Sequence, residues 1–256
     1  MQFRLPLVVL ALVALASMCA RQAVAIDLKF KVSLGYHYSS GTYGTSSTTE
    51  IAYVPLIAKA EIGAWTIQGT VPYLRISGPA GIVPVGGAVA PTAGGTADGL
   101  GDVLLRGAYT FDPLATWMPF VDVAALIKFP TASRSAGLGT GEFDYGFELE
   151  AFEELGKCTP FAMVGYRFLG SPPGTDLDNV LVGSIGMIYR IIEPVHAGLF
   201  LDYRQSPSAR VGELLDLVPF GSGQIDPHWS VDLYASAGLA RGSPDAGTGL
   251  QLAYSW

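Results

Sequence analysis

Charge is scarce in this chain: 14% of its 256 residues are Asp, Glu, Lys or Arg, well below the roughly 25% of an ordinary soluble domain. That scarcity weighs against a water-soluble enzyme. Bases are scarcer than acids, 15 against 22, which argues against a nucleic-acid binder, whose affinity rests on cationic side chains facing phosphates. Cysteines number two and histidines three, too few and too scattered for a metal site built on thiolate and imidazole. Long apolar runs are also missing beyond the first 25 residues. Lys59 and Glu61, then Asp122 and Lys128, then Arg190 and Glu193 break every stretch that could otherwise form a membrane helix, which needs about 20 apolar residues. What the chain does have is glycine, 32 residues, and a hydrophobic half that includes 11% aromatics. This mixture disfavours both disorder and long helices. A length of 256 suits a single all-β barrel.

The N-terminus reads as a leader. Arg4 gives a thin positive start, Leu5 to Ala16 form an apolar run of signal-peptide length, and Ala23-Val24-Ala25 place small residues at −3 and −1 of a cleavage point. Residues 1–25 are therefore expected to be a cleaved signal peptide and residues 26–256 the mature domain. The alternatives are a retained membrane helix, for which the run is short, and lipoprotein processing at Cys19, where Met18 precedes in place of a small residue. Cleavage removes Arg4 and Arg21 with no acid, which takes the net charge from −7 to −9, and leaves Cys158 without a disulfide partner.

The apolarity that remains is spread with a period of two, the mark of strands whose two faces meet different surroundings. Leu28, Phe30, Val32, Leu34, Tyr36 and Tyr38 alternate with Lys29, Lys31, Ser33, Gly35 and His37. Phe143, Tyr145, Phe147 and Leu149 alternate with Glu142, Asp144, Glu148 and Glu150 around Gly146. Similar segments recur to Trp256 and give about twelve strands of roughly 9 to 12 residues, the length a tilted strand needs to cross a bilayer. Connections alternate between short turns and longer Gly-, Pro- and Ser-rich loops, among them Arg75 to Gly101 and Pro130 to Gly141. The pattern predicts an all-β, membrane-spanning, antiparallel up-and-down barrel of about 12 strands in the outer membrane of a Gram-negative bacterium, with both termini periplasmic. A soluble sandwich or lipocalin-like barrel would invert the two faces. The number of charged residues on the polar face, the leader and the aromatic last residue favour the membrane arrangement.

Three segments add a resemblance. Asp98 to Phe111 (DGLGDVLLRGAYTF), Lys128 to Tyr145 (KFPTASRSAGLGTGEFDY) and Ser243-Pro244-Asp245 resemble the outer-membrane family labelled MetA-pathway of phenol degradation, often called simply "transporter". The resemblance implies a porin-like outer-membrane barrel that takes up small compounds, aromatic ones among them.

These readings converge on a passive channel or transporter, with no cofactor and no covalent chemistry. Its expected partners are outer-membrane lipid, the small-molecule solute and the outer-membrane assembly machinery acting through Trp256. Lumen and selectivity candidates are Lys128, Glu142, Asp144, Arg167, Arg106, Glu148, Asp202 and Arg204. Centring the turn after strand six between Leu155 and Gly156 sets Asp144 opposite Arg167, and Lys128, Glu142, Asp144 and Arg167 are expected to form one charged cluster in the extracellular half. The segment Arg75 to Gly101, nearly uncharged, is expected to be a loop that folds over or into the mouth. Two rings of aromatics are expected at the membrane interfaces, Trp65, Tyr109, Phe111, Trp117, Phe120, Trp229, Tyr254 and Trp256 at the periplasmic one. Two other functions stay open: a structural barrel without flux, and a barrel esterase in which His37 activates Ser39. In the esterase pattern an Asn would follow that Ser; here Ser40 follows, and the sole asparagine is Asn179.

Overall fold

The computed structural model describes residues 28–85, 88–208 and 211–256, with the side chains of 80–93 left aside. The expected signal peptide lies outside the described residues. Thirteen strands follow one another: β1 (Leu28–Gly41), β2 (Thr49–Ile62), β3 (Trp65–Val85), β4 (Ala88–Leu100), β5 (Val103–Phe111), β6 (Phe120–Phe129), β7 (Asp144–Phe152), β8 (Cys158–Phe168), β9 (Val180–Ile192), β10 (Val195–Arg204), β11 (Leu214–Gln224), β12 (Trp229–Gly238) and β13 (Ala246–Ser255). Neighbours in sequence pair antiparallel except β4 and β5, since β5 pairs β3 instead; β1 also pairs β13, so the sheet closes. Twelve strands make the wall. β4 does not: it folds back on the far half of β3, while β5 takes the near half, Trp65–Thr70. Closure leaves the wall no free edge, which is the condition for a sheet to exist in lipid, where an unpaired N–H or C=O has no water to bond.

Period-two alternation decides the faces. On β7, Phe147 and Leu149 are 59% and 49% exposed while Asp144, on the other face, is 6% exposed. Across strands the outward residues adjoin: Leu34 lies opposite Leu252, and Leu250 lies opposite both Tyr36 and Leu233. The outer surface is thus a continuous apolar belt far larger than a water-soluble monomer tolerates and suited to a hydrocarbon core. Aromatic rings flank it. At the periplasmic end Trp65 packs on Tyr109 and Tyr109 on Phe111, and Trp229, Tyr254 and Trp256 form a second group with Phe30. Phe129, Phe143 and Tyr145, with Tyr166 and Phe168, line the other end. Phe120 departs from the expected belt, because it shares the inward parity of Asp122 and stacks on Phe152.

Inside, bulky side chains lie over glycines on the adjacent strand. Phe200 faces Gly186, Phe220 faces Gly198, and Tyr234 faces Gly249. A Cβ at any of these glycines would run into the opposing side chain. The wall is therefore notched to let rings lie flat along it.

Two sequence expectations are corrected by the fold. Arg75 to Gly101 is no loop: β3 continues to Val85 and β4 returns, Arg75 opposite Asp98 and Ser77 opposite Thr96. Gly- and Pro-rich composition suggested irregular chain, yet pairing with a β3 long enough to leave the membrane supplies the backbone hydrogen bonds. Of the proposed plug within it, the side chains of Gly81 to Thr92 and Ala93 lie outside the described residues. The β7–β8 register also differs by two residues. Leu155 bridges Cys158 through a turn at Gly156-Lys157, so Gly146, not Asp144, faces Arg167. Gly156 holds φ at 68°, which a glycine adopts without strain. An even shift keeps each residue on its face and moves only its partner.

Candidate functional site: the lumen and its mouth

The extracellular mouth holds a small apolar core. Inward residues of the wall, Ile51 from β2 with Leu74 and Ile76 from β3, pack with Tyr43 from the β1–β2 loop and with Ala132 and Leu138 from the loop of residues 130–143. Each is at most 8% exposed, so this loop enters the barrel instead of standing above it. Burial pushes the Tyr43 phenol up to about 12, so it stays protonated and bonds Ser39 Oγ at 2.7 Å.

A buried ion cluster fixes the same loop. Lys128 Nζ donates to Asp102 Oδ2 at 3.0 Å and to Thr140 Oγ1 at 2.9 Å, and lies 3.1 Å from Asp144 Oδ2. The three charged side chains are 2%, 3% and 9% exposed. Their remaining oxygens are occupied too: Asp102 Oδ1 accepts from the Ala132 N–H and Asp144 Oδ1 from the Gly170 N–H, both at 2.9 Å. One lysine thus ties β6, β7, the segment before β5 and two loops.

A second group stands deeper. Glu148 accepts from Arg106 Nε at 2.8 Å and pairs with Arg167 Nη2 at 2.5 Å. Arg167 folds across Gly146, where a Cβ would meet its guanidinium. The expected single cluster is therefore two: Lys128 with Asp144, and Arg167 with Glu148 in place of Asp144, the consequence of the register difference. Glu142 joins neither ion pair; it sits in the loop with its N–H on Thr140 Oγ1. Asp202 and Arg204 lie on the opposite wall, where Asp202 faces Asp216 across β10 and β11.

His37 does not serve Ser39. Its Nδ1 shares a 2.9 Å hydrogen bond with Tyr234, whereas Ser39 Oγ bonds Tyr43. Asn179, the only asparagine, accepts from the Leu169 N–H with its side chain. The geometry for a histidine-activated serine is thus absent from this pair. Among the described residues no three His, Cys, Asp or Glu are grouped as metal ligands.

Among the described residues, two cavities inside the wall are both bordered by His37 and Tyr53. One, of about 240 Å³, is lined by Arg106, Lys128, Asp144 and Arg167. The other, of about 650 Å³, is lined by Phe200, Phe220 and Tyr234 with Asp202, Asp216 and Asp232. Sequence reasoning missed Tyr43, Leu138, Asp102 and Tyr234, whose partners are remote in the chain. Asp102 and Leu138 carried a signal, lying within the quoted segments Asp98 to Phe111 and Lys128 to Tyr145.

No family model matches the chain, and no curated protein matches it in sequence. Solved structures do match in fold. One is the crystal structure of an outer-membrane channel from Pseudomonas putida F1, with a TM-score of 0.67 and 14% identity over 92% of this chain and 97% of that one. The KdgM porin matches with a TM-score of 0.54 and 8% identity over 88% of this chain and 99% of its own. The β domain of the Bordetella autotransporter BrkA gives 0.52 and 13% over 90% and 99%. At these identities the likeness concerns the fold, and with the apolar belt it makes this chain an outer-membrane β-barrel.

Proposed function

We propose that the barrel is a passive outer-membrane channel for small solutes, synthesised with a leader of residues 1–25. The observation that carries this reading is the pair of cavities within a closed wall. The larger falls within the roughly 300–1,000 Å³ of small-molecule sites. Three rings run along its side of the lumen, Phe161 to Phe200 at 6.2 Å and Phe200 to Phe220 at 5.9 Å. With the motif resemblance to the phenol-degradation transporters, they support uptake of small aromatic or hydrophobic compounds. Arg106, Glu148, Lys128, Asp144 and Arg167 on one wall, and Asp202 and Arg204 on the other, are the side chains such a solute passes. Lipid covers the belt, and Trp256, packed on Phe30 and Tyr254, is the residue offered to the assembly machinery.

The test is swelling of liposomes containing the mature protein, against phenols, fatty acids and sugars. Entry of small phenols supports the reading. A second reading, a structural barrel without flux, is favoured by the satisfied Lys128 cluster and the apolar core in the mouth; swelling by none of the solutes would select it.

A further inference from the structure

The acids and bases around the smaller cavity are not equally satisfied. Every carboxylate there has both oxygens engaged. Glu148 accepts from Arg106 Nε on Oε2 and from Arg167 Nη2 on Oε1. Asp144 meets Lys128 Nζ on Oδ2 and the Gly170 N–H on Oδ1, and Asp102, on the same lysine, also accepts from the Ala132 N–H. The guanidinium groups, by contrast, have donors left over. Arg167 Nη1 is buried without a hydrogen-bond partner, and Arg106 is tied through Nε, with neither Nη engaged among the described residues. Two arginines clamped by one glutamate thus retain unused N–H groups at a cavity of about 240 Å³ that both of them line. A buried donor left without an acceptor is costly, so the arrangement is completed by an acceptor that arrives from the lumen. The rest of the lining says what that acceptor is attached to, because Pro55, Ile57, Leu104, Leu126 and Leu169 are apolar. Net charge does not enter this reasoning. Asp122 Oδ1 and Asp216 Oδ1 are also buried without partners, but neither residue lines this cavity, so the lumen as a whole is assigned no preferred sign of ion.

We propose that the smaller cavity is a binding subsite for small monocarboxylates with an apolar body, the carboxylate on the free Nη groups of Arg167 and Arg106 and the hydrocarbon against Ile57, Leu104 and Leu126. A guanidinium presents its donors as a planar fork that matches a carboxylate through two parallel hydrogen bonds. Glu148 fixes both forks from the side away from the solute, so they are set before it arrives and little ordering is required on binding. The inference rests on the channel reading above and names a class of solute for it.

The experiment is calorimetric titration of the folded wild-type barrel in detergent with benzoate, benzamide and benzylammonium, which share a ring and differ in the group it carries, and with inorganic phosphate. Expected is saturable binding of benzoate, about tenfold or more tighter than any of the other three, the scale of a hydrogen bond to a charged group. Arg167→Lys keeps a cation for Glu148 but removes the fork, and should weaken benzoate by a similar factor. Phosphate bound as tightly as benzoate overturns the carboxylate assignment, and benzamide bound as tightly overturns the part played by the arginines. Unchanged affinity in folded Arg167→Lys overturns the placement on Arg167, and the wild-type series decides the matter where that variant fails to fold. Titration needs no flux, so the two readings fail separately: a barrel that conducts but binds no benzoate overturns the subsite, and one that binds benzoate but conducts nothing overturns the channel.

Discussion

Replacing Lys128 with Met tests whether the buried cluster holds the loop of residues 130–143 in the mouth. Met fills most of the lysine volume, so the change removes charge more than packing. It strands two carboxylates, Asp102 and Asp144, that now lie 3.0 and 3.1 Å from the ammonium and are 3% and 9% exposed. Breaking a buried pair from one side costs about 3–5 kcal/mol, because the partner is left as an uncompensated buried charge. Each carboxylate keeps one backbone N–H, from Ala132 and from Gly170, and a loop can swing out to admit water, so the low end, about 3 kcal/mol, is expected. The assay is urea unfolding in lipid vesicles, followed by heat-modifiable gel mobility, together with trypsin cleavage at Arg134, the only base in the loop. Lys128→Met should lower stability and expose Arg134 to cleavage. Adding Asp102→Asn and Asp144→Asn should restore most of the loss, since a neutral cluster leaves no buried charge. A loss under about 1 kcal/mol in Lys128→Met, with Arg134 still protected, would refute the reasoning, because that is the range of an exposed pair.

Gly198→Val should destabilise the barrel by about 1–3 kcal/mol through overpacking, since its Cβ meets the Phe220 ring; urea unfolding should show the loss, and Phe220→Ala in the same chain should relieve it. Tyr43 has its pKa raised from 10.0 to about 12, so its contribution is whole below pH 10 and is lost as pH rises through 12; thermal unfolding across that window should fall in the wild type and flatten in Tyr43→Phe. In the β11–β12 turn the backbone N–H groups of His228 and Trp229 hold the Asp226 carboxyl below its usual range. The stability it adds is therefore present above its ordinary pKa and fades as pH falls through the lowered one, and Asp226→Asn should remove that acid dependence. Purified protein should hydrolyse no ester in a way that His37→Ala abolishes, because His37 is engaged by Tyr234.

The wall was legible in the sequence because a barrel in lipid is written in period two. Every residue of Tyr145 to Leu149 could be assigned a face once Phe147 and Glu148 were seen to alternate, and strand ends followed from turns such as Gly63. Which face points outward came from charge content, not period. Legibility failed where partners are set by turn geometry or by tertiary contact. One turn at Gly156-Lys157, centred one position later than expected, gave Arg167 to Glu148 instead of Asp144. The hairpin of β3 and β4 was hidden by glycine and proline, residues that weaken a strand without forbidding it when the partner strand is long. Nothing local joins His37 to Tyr234, 197 residues away, or sends Tyr43 and Leu138 into one core. Loop docking depends on the shape of the cavity that receives it.

Single-channel recording of the mature wild-type protein in a planar lipid bilayer tests the central claim most directly, because it asks whether the cavities bordered by His37 and Tyr53 form a continuous path. Discrete conductance steps are predicted, small in the wild type and larger when residues 131–141 are deleted, since Ala132 and Leu138 occupy the mouth. A bilayer that stays silent with correctly folded protein, both with the loop and without it, would contradict the channel account.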